Sequence, residues 1–237
     1  MAEDRVVLVG VDGSPESLGA VDWAVARAAR ENWRVHILCA YSLPSFTTAS
    51  LDGGYAALDD SAIRSGAQAV VSEAADRAQG KGVTVTNSLE TGDPAGVLVD
   101  LSDEAALTVV GTRGGGGFTD RLLGTVSSAL PAHAHCPTIV VPRHTEGADY
   151  TPVRRIVVGV DGSDSARKAL RWAVREADVW DAELTAIAAV PMASGAGALA
   201  WLPAAVDREQ VLADVRSGLD RAVADALQDH PGVVVRR

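Results

Sequence analysis

RVVLVGVDGSPESLGAVDWAVARAA, residues 5–29, holds a complete strand–turn–helix unit. Val6 to Val11 is a short apolar run, rich in β-branched residues and bounded by Gly10, the pattern of a strand buried on both faces. Asp12-Gly13-Ser14 supplies a turn. Ser14 is a good helix N-cap, and Pro15 suits the first helical position, where the missing N–H would have had no partner anyway. Leu18, Val21, Trp23, Val25 and Ala28 follow at mostly helical spacing, so the helix has an apolar side. A strand buried on both faces needs helices above and below its sheet, which favours a parallel α/β architecture.

The unit recurs as RRIVVGVDGSDSARKALRWAVREAD, residues 154–178. Gly10, Asp12, Ser14, Trp23 and Ala24 fall on Gly159, Asp161, Ser163, Trp172 and Ala173, a constant offset of 149. A period of that length means two copies of one domain and not a short-repeat solenoid. The expected organisation is a first domain over 1–142, a polar linker over 143–153 and a second copy over 154–237. Within the first copy, strands are expected in RVHILCAY, GVTVTNSLE, LTVVG and PTIVV. Helices are expected over Ser61 to Gln79, over DPAGVLVDLSDE with a cap near Asp93, and over Thr125 to Ala134. Alternation of this kind implies right-handed βαβ units and a five-stranded parallel sheet with helices on both faces. PGVVVRR at 231–237 corresponds to KGVTVTN at 81–87, so the second copy should hold strands 1–3 only. Its first strand, Ile156 to Val160, should then be an apolar edge open to pairing. Either the chain is a fragment of a longer tandem protein or the second copy is stabilised by association.

Composition narrows the class. A formal charge of −10 opposes nucleic-acid binding, which leaves a basic footprint. Cys39 and Cys136 form neither a metal-ligand spacing nor a disulfide framework, and the acidic start MAEDRVVLVGVDGS is unlike a signal peptide. A cytoplasmic protein is expected. Leu184 to Val206 carries no charge over about a transmembrane length. Pro191, Gly195, Gly197 and Pro203 break that stretch and its start reads as a strand, so no membrane insertion is expected. His133, His135 and Cys136 in AHAHC read as a helix end and not as a metal site, because no further ligand is placed to complete four.

VVGTRGGGGFTDRLLGTVSS, residues 109–128, carries six glycines across fourteen residues. Glycine loses the most conformational freedom on folding, and a structural turn would need one or two. Backbone N–H groups clear of side chains can converge on an anion, and a helix starting at Thr125 offers unpaired N–H groups and a favourable dipole. Arg113 adds a cation, so the segment reads as phosphate-binding. It is no Walker A motif, since Gly116 is followed by Gly117 where Lys-Ser or Lys-Thr would stand. A dinucleotide fingerprint would follow the first strand, where only GVDGS stands. Asp12 reads either as a turn residue ahead of Ser14 or as a ligand contact.

The spacing Gly111-x-x-Gly114, nine residues, Gly124-Thr125 resembles the G-2x-G-9x-G-[S/T] motif of the ATP-binding universal stress proteins. GVDGS, GDPAGVL and HAHCPTIVV are similar to that family too. The resemblance covers the first copy and the opening of the second. It implies a Rossmann-like sheet of order 3-2-1-4-5, whose ligand crevice lies outside the carboxyl ends of strands 1 and 4. It also implies ATP with Mg2+ as the ligand. In that reading Gly10 and Val11 line the pocket, Asp12 sits near the ribose and phosphates, and Ala40 presents backbone to adenine. Gly111, Thr112, Arg113, Gly114, Gly115, Gly116 and Gly117 hold the phosphate chain, and Gly124, Thr125, Val126 and Ser127 complete it at the helix N-terminus. The implied role is regulatory, in a stress response, with a homodimer or a pseudo-dimer between the two copies. The alternative is an adenine-nucleotide hydrolase with slow ATPase activity. Related enzymes that cleave the α–β phosphate bond carry S-G-G-x-D-S after strand 1, where this chain has VDGSPES, and no paired base and nucleophile stand out. A nucleotide-free interaction module would not need the glycine motif.

Overall fold

The computed structural model describes residues 5–42, 60–114, 123–143, 150–189 and 208–237. The chain divides into two compact units, Met1–Tyr150 and Thr151–Arg237. Most of the expected linker, residues 144–149, lies outside the described residues, as does the stretch 190–207 that follows the second unit's second strand.

In the first unit the order is β1 (Val6–Gly10), α1 (Pro15–Glu31), β2 (Arg34–Tyr41), α2 (Asp60–Ala78), β3 (Val85–Thr91), α3 (Pro94–Leu101), β4 (Leu107–Gly111), α4 (Thr125–His133) and β5 (Thr138–Val141). All strand pairs are parallel, and the sheet order is β3-β2-β1-β4-β5, the order the resemblance implies. Central β1 pairs on both sides, with Val7 opposite Val35 of β2 and Leu107 of β4. Val7, Leu8 and Val9 are all buried, which is why the run lacks the apolar–polar alternation of a one-sided strand. Successive residues of a strand face opposite sides of the sheet. Leu8, Leu38 and Val110 pack with Leu98 of α3 and Leu130 of α4, so Val7 and Val9 turn to the other face.

Local chemistry sets the unit that follows β1. Ser14 has extended backbone, and its Oγ accepts a hydrogen bond from Ser17 N at 3.2 Å, capping α1 ahead of Pro15. Asn32, at φ 55°, ends the helix in the left-handed region that asparagine tolerates. Behind it the fully buried Arg27 pairs with Glu31 at 2.7 Å and lies over the Trp33 ring at 4.6 Å.

The second unit runs β6 (Arg155–Gly159), α5 (Asp164–Trp180), β7 (Glu183–Ile187), α6 (Arg208–Ala226) and β8 (Val235–Arg236), in a parallel sheet of order β6-β7-β8. Ser163 caps α5 as Ser14 caps α1, accepting from Ala166 N at 3.1 Å. Among the described residues β6 pairs with β7 alone and is an edge of its sheet. Val158 and Val160 are buried with Leu170, Val174 and Leu184, leaving Val157 as its one strongly exposed valine, at 65%. No helix among the described residues is long and apolar enough to cross a membrane.

Candidate functional site

A cavity of about 400 Å³ opens where the carboxyl ends of β1 and β4 diverge. Gly10, Val11 and Asp12 line it from the end of β1 and the turn after it, Ala40 from β2, Gly111, Thr112, Arg113 and Gly114 from the end of β4 and the residues that follow, and Gly124, Thr125, Val126 and Ser127 from the start of α4. Gly115, Gly116 and Gly117 lie outside the described residues. Glu16, Ser17, Leu38, Pro94, Leu98, Val110 and Leu123 also line the cavity and were missed from sequence. The signal for several of them was periodicity. Leu38 sits two before Ala40 on the same strand, and Pro94 and Leu98 share one side of a helix at i,i+4.

The turn after β1 is built around Asp12. Its Oδ1 accepts from Ser14 N at 3.0 Å and from Ser14 Oγ at 2.6 Å, and Gly13 supplies the φ of 81° that the turn requires. Asp12 is thus a turn residue, and it also faces the cavity.

The three described glycines of the motif differ. A β-carbon at Gly111 would lie 2.7 Å from the Glu16 main-chain carbon, so this glycine lets the end of β4 pack against the first turn of α1. A β-carbon at Gly114 would collide with the Asp12 carboxylate at Oδ2. Gly124 is another case. Its φ of −74° and ψ of 171° suit any residue, and the nearest atom to an added β-carbon is Thr112 O at 3.5 Å. Nothing in the described protein requires a glycine there.

Thr112 gathers the loop ends. Its N–H donates to Val141 O at 2.9 Å, and its carbonyl accepts from Gly124 N at 2.9 Å and from Ser127 Oγ at 2.8 Å.

Three helices begin at the cavity, and they differ in one respect. Ser14 caps α1, and Asp93 caps α3 by accepting from Gly96 N at 2.9 Å. α4 starts at Gly124 with no side-chain cap. The first-turn N–H groups of a helix have no partner within the helix, and the dipole adds about half a positive charge there. With Arg113 beside it, the α4 start is suited to an anion, while Leu38, Ala40, Pro94, Leu98 and Val110 offer an apolar wall.

Among the described residues the cavity's titratable groups are Asp12, Glu16 and Arg113, with Glu16 Oε1 3.7 Å from Arg143 Nε outside it. Asp12 and Glu16 are the carboxylates that the described residues offer a cation at this wall. Cys39, beside Ala40, is no ready nucleophile: burial, and then the Asp12 charge, push its thiol above the ordinary range. Of the tempting AHAHC segment, His135 N donates to Ser102 Oγ at 2.8 Å and Cys136 Sγ lies 3.1 Å from Thr108 Oγ1, tying the start of β5 to its neighbours. Among the described residues no group of three His, Cys, Asp or Glu side chains is placed to hold a metal.

The universal stress protein family matches residues 5–142 and 152–237. Universal stress protein Rv2623 of Mycobacterium tuberculosis is 31% identical over 226 residues, covering 90% of this chain and 73% of that protein. Universal stress protein Rv2005c of the same organism is 33% identical over 193 residues, covering 76% of this chain and 62% of that one. The crystal structure of a universal stress protein from Archaeoglobus fulgidus aligns with 99% of this chain and 77% of its own, with a TM-score of 0.68 at 17% identity, and so shares the fold.

Proposed function

The chain belongs to the universal stress protein family, and on that premise we propose that its first unit is an ATP-binding regulatory module. The observation that carries this reading is the unequal treatment of the helix starts at the cavity. α1 and α3 are closed by their own side chains, and α4 alone of the three is left open, beside Arg113 and a glycine that the fold does not require. An open helix start suits phosphate. The apolar wall of Leu38, Leu98 and Val110 suits a flat base, with the backbone of Ala40 available to read its edge and Asp12 near the ribose.

Mg2+ accompanies the triphosphate in this reading. Among the described residues Asp12 and Glu16 face the same cavity as Arg113, and a metal would offset their repulsion of a polyanion. The module acts by occupancy and not by turnover. No histidine lines the cavity among the described residues, the Cys39 thiol is held protonated, and Asp12 is engaged by its own turn, which leaves no evident base–nucleophile pair. Slow ATP hydrolysis is the second reading, kept because a triphosphate would sit near those two carboxylates. In the same proposal, residues 1–142 are the nucleotide-binding domain and 154–237 a second copy with three strands. The protein is cytoplasmic, in keeping with its free Cys39 and Cys136, and pairs as a homodimer or a pseudo-dimer.

Purification under native conditions, followed by mass analysis of released nucleotide, tests the proposal. Adenine nucleotide at near-equal molarity supports it. A protein that carries none and shows no heat on titration with ATP and Mg2+ refutes it.

A further inference from the structure

We propose that Ser127 is a positioning residue that sets the anion end of the pocket before a ligand arrives, an inference that rests on the nucleotide reading above. Ser127 borders the cavity yet is only 2% exposed. It is the third residue of α4, and its hydroxyl works in the opposite sense to those of Ser14 and Ser163. Those two precede their helices and accept from the N–H three residues on. Ser127 reaches back and donates to Thr112 O at 2.8 Å.

Two consequences follow from that direction. Thr112 O also accepts from Gly124 N at 2.9 Å, so both of its lone pairs are engaged and one atom joins the two ends of the segment 112–124. Thr112 N in turn is anchored to Val141 O of β5 at 2.9 Å. The first turn of α4 is thereby tied sideways to the sheet, whatever lies between the loop ends. The Ser127 hydroxyl proton is also committed to the protein, so this residue meets an anion through its N–H alone. Convergent N–H groups bind an anion well only if their geometry is fixed beforehand, since ordering them at the moment of binding subtracts from affinity.

The test is calorimetric titration of wild type, Ser127→Ala, Ser127→Cys and Ser127→Thr with adenosine, AMP, and ATP with Mg2+, alongside thermal unfolding. Ser127→Ala and the near-isosteric, weakly donating Ser127→Cys should each weaken ATP by about tenfold. AMP should lose less, adenosine should stay within about twofold, and Ser127→Thr should restore most of the ATP affinity because it keeps the donor. An equal loss for adenosine and ATP would mean that Ser127 merely supports the fold, and unchanged ATP affinity in both donor-poor variants would overturn the assignment. A wild-type protein that binds no ATP would refute the nucleotide reading itself, and this assignment with it.

Discussion

Replacing Gly124 by serine should stabilise the protein and weaken its ligand binding together. Gly124 has φ −74° and ψ 171°, close to Ser14 at −71° and 152° and to Ser163 at −69° and 162°. A β-carbon there meets Thr112 O at 3.5 Å, Ser127 Oγ at 3.6 Å and Arg113 Cα at 3.7 Å, all ordinary contacts. The new hydroxyl should therefore accept from Ser127 N, as Ser14 does from Ser17 N at 3.2 Å and Ser163 from Ala166 N at 3.1 Å. Glycine is already a fair cap, so the gain is about 0.3 kcal/mol, a rise in Tm of about 1 °C for a chain of this size. The cost falls on the ligand. One helix N–H is no longer available to phosphate, and a hydrogen bond to a charged group contributes about 1.5–3 kcal/mol, or roughly ten- to hundredfold in Kd. Thermal unfolding without ligand and calorimetry with ATP and Mg2+ read the two effects separately. A variant that melts no lower and keeps full affinity would refute the claim that the open start of α4 receives the anion. One that melts several degrees lower would show instead that the fold does need a glycine at 124.

Gly111→Ala should behave in the contrary way, losing about 1–3 kcal/mol of stability without any ligand present, because its β-carbon meets the main chain of Glu16 at 2.7 to 2.9 Å and backbone yields poorly; a melting curve matching wild type would contradict this. Asp22 supports the junction of α1 and α2. Burial opposes its ionisation, but Arg77 and Lys81 outweigh that and hold its carboxyl below the usual range. Its contribution is present above the unfolded carboxylate pKa and is lost as pH falls through the lower folded value. Asp22→Asn should thus cost about 0.5 kcal/mol near neutrality, the site being partly exposed, and nothing once the pH lies below both values; a deficit independent of pH would exclude this electrostatic account. Cys39 should alkylate with a pH midpoint above that of a free thiol, through burial first and the Asp12 charge second, and Asp12→Asn should bring the midpoint down; mass-resolved labelling that finds no difference would count against the Asp12 effect. Phosphate release from ATP should fall far below the roughly 1 to 1000 per second of ordinary enzymes, and a steady-state rate inside that range would make the protein a hydrolase.

Local and repeated features are legible in the amino-acid order alone. Val6 to Val11 reads as a strand because β-branched residues fill both faces, and Ser14 with Pro15 marks the start of a helix because cap and first turn need only their own neighbours. The offset of 149 exposes the duplication without any structure, since repetition is a property of order alone. The residues of the glycine motif could be singled out in the same way. Their separate duties could not. Gly111, Gly114 and Gly124 look alike on the page, yet one faces the Glu16 main chain, one the Asp12 carboxylate and one only atoms at ordinary contact distance. The first two contacts exist only because β4 pairs beside β1, bringing together residues far apart in the chain. The apolar wall of Leu38, Pro94, Leu98 and Val110 has the same origin, since each element contributes one or two side chains that have no meaning as a pocket until the sheet order is set. The open start of α4 was itself legible, since Gly124 carries no side chain to cap it, but the role of Ser127 was not. A serine at the head of a helix reads as a cap from sequence, but the direction in which Ser127 spends its hydroxyl depends on where Thr112 O stands, and that carbonyl is placed by β4 and β5.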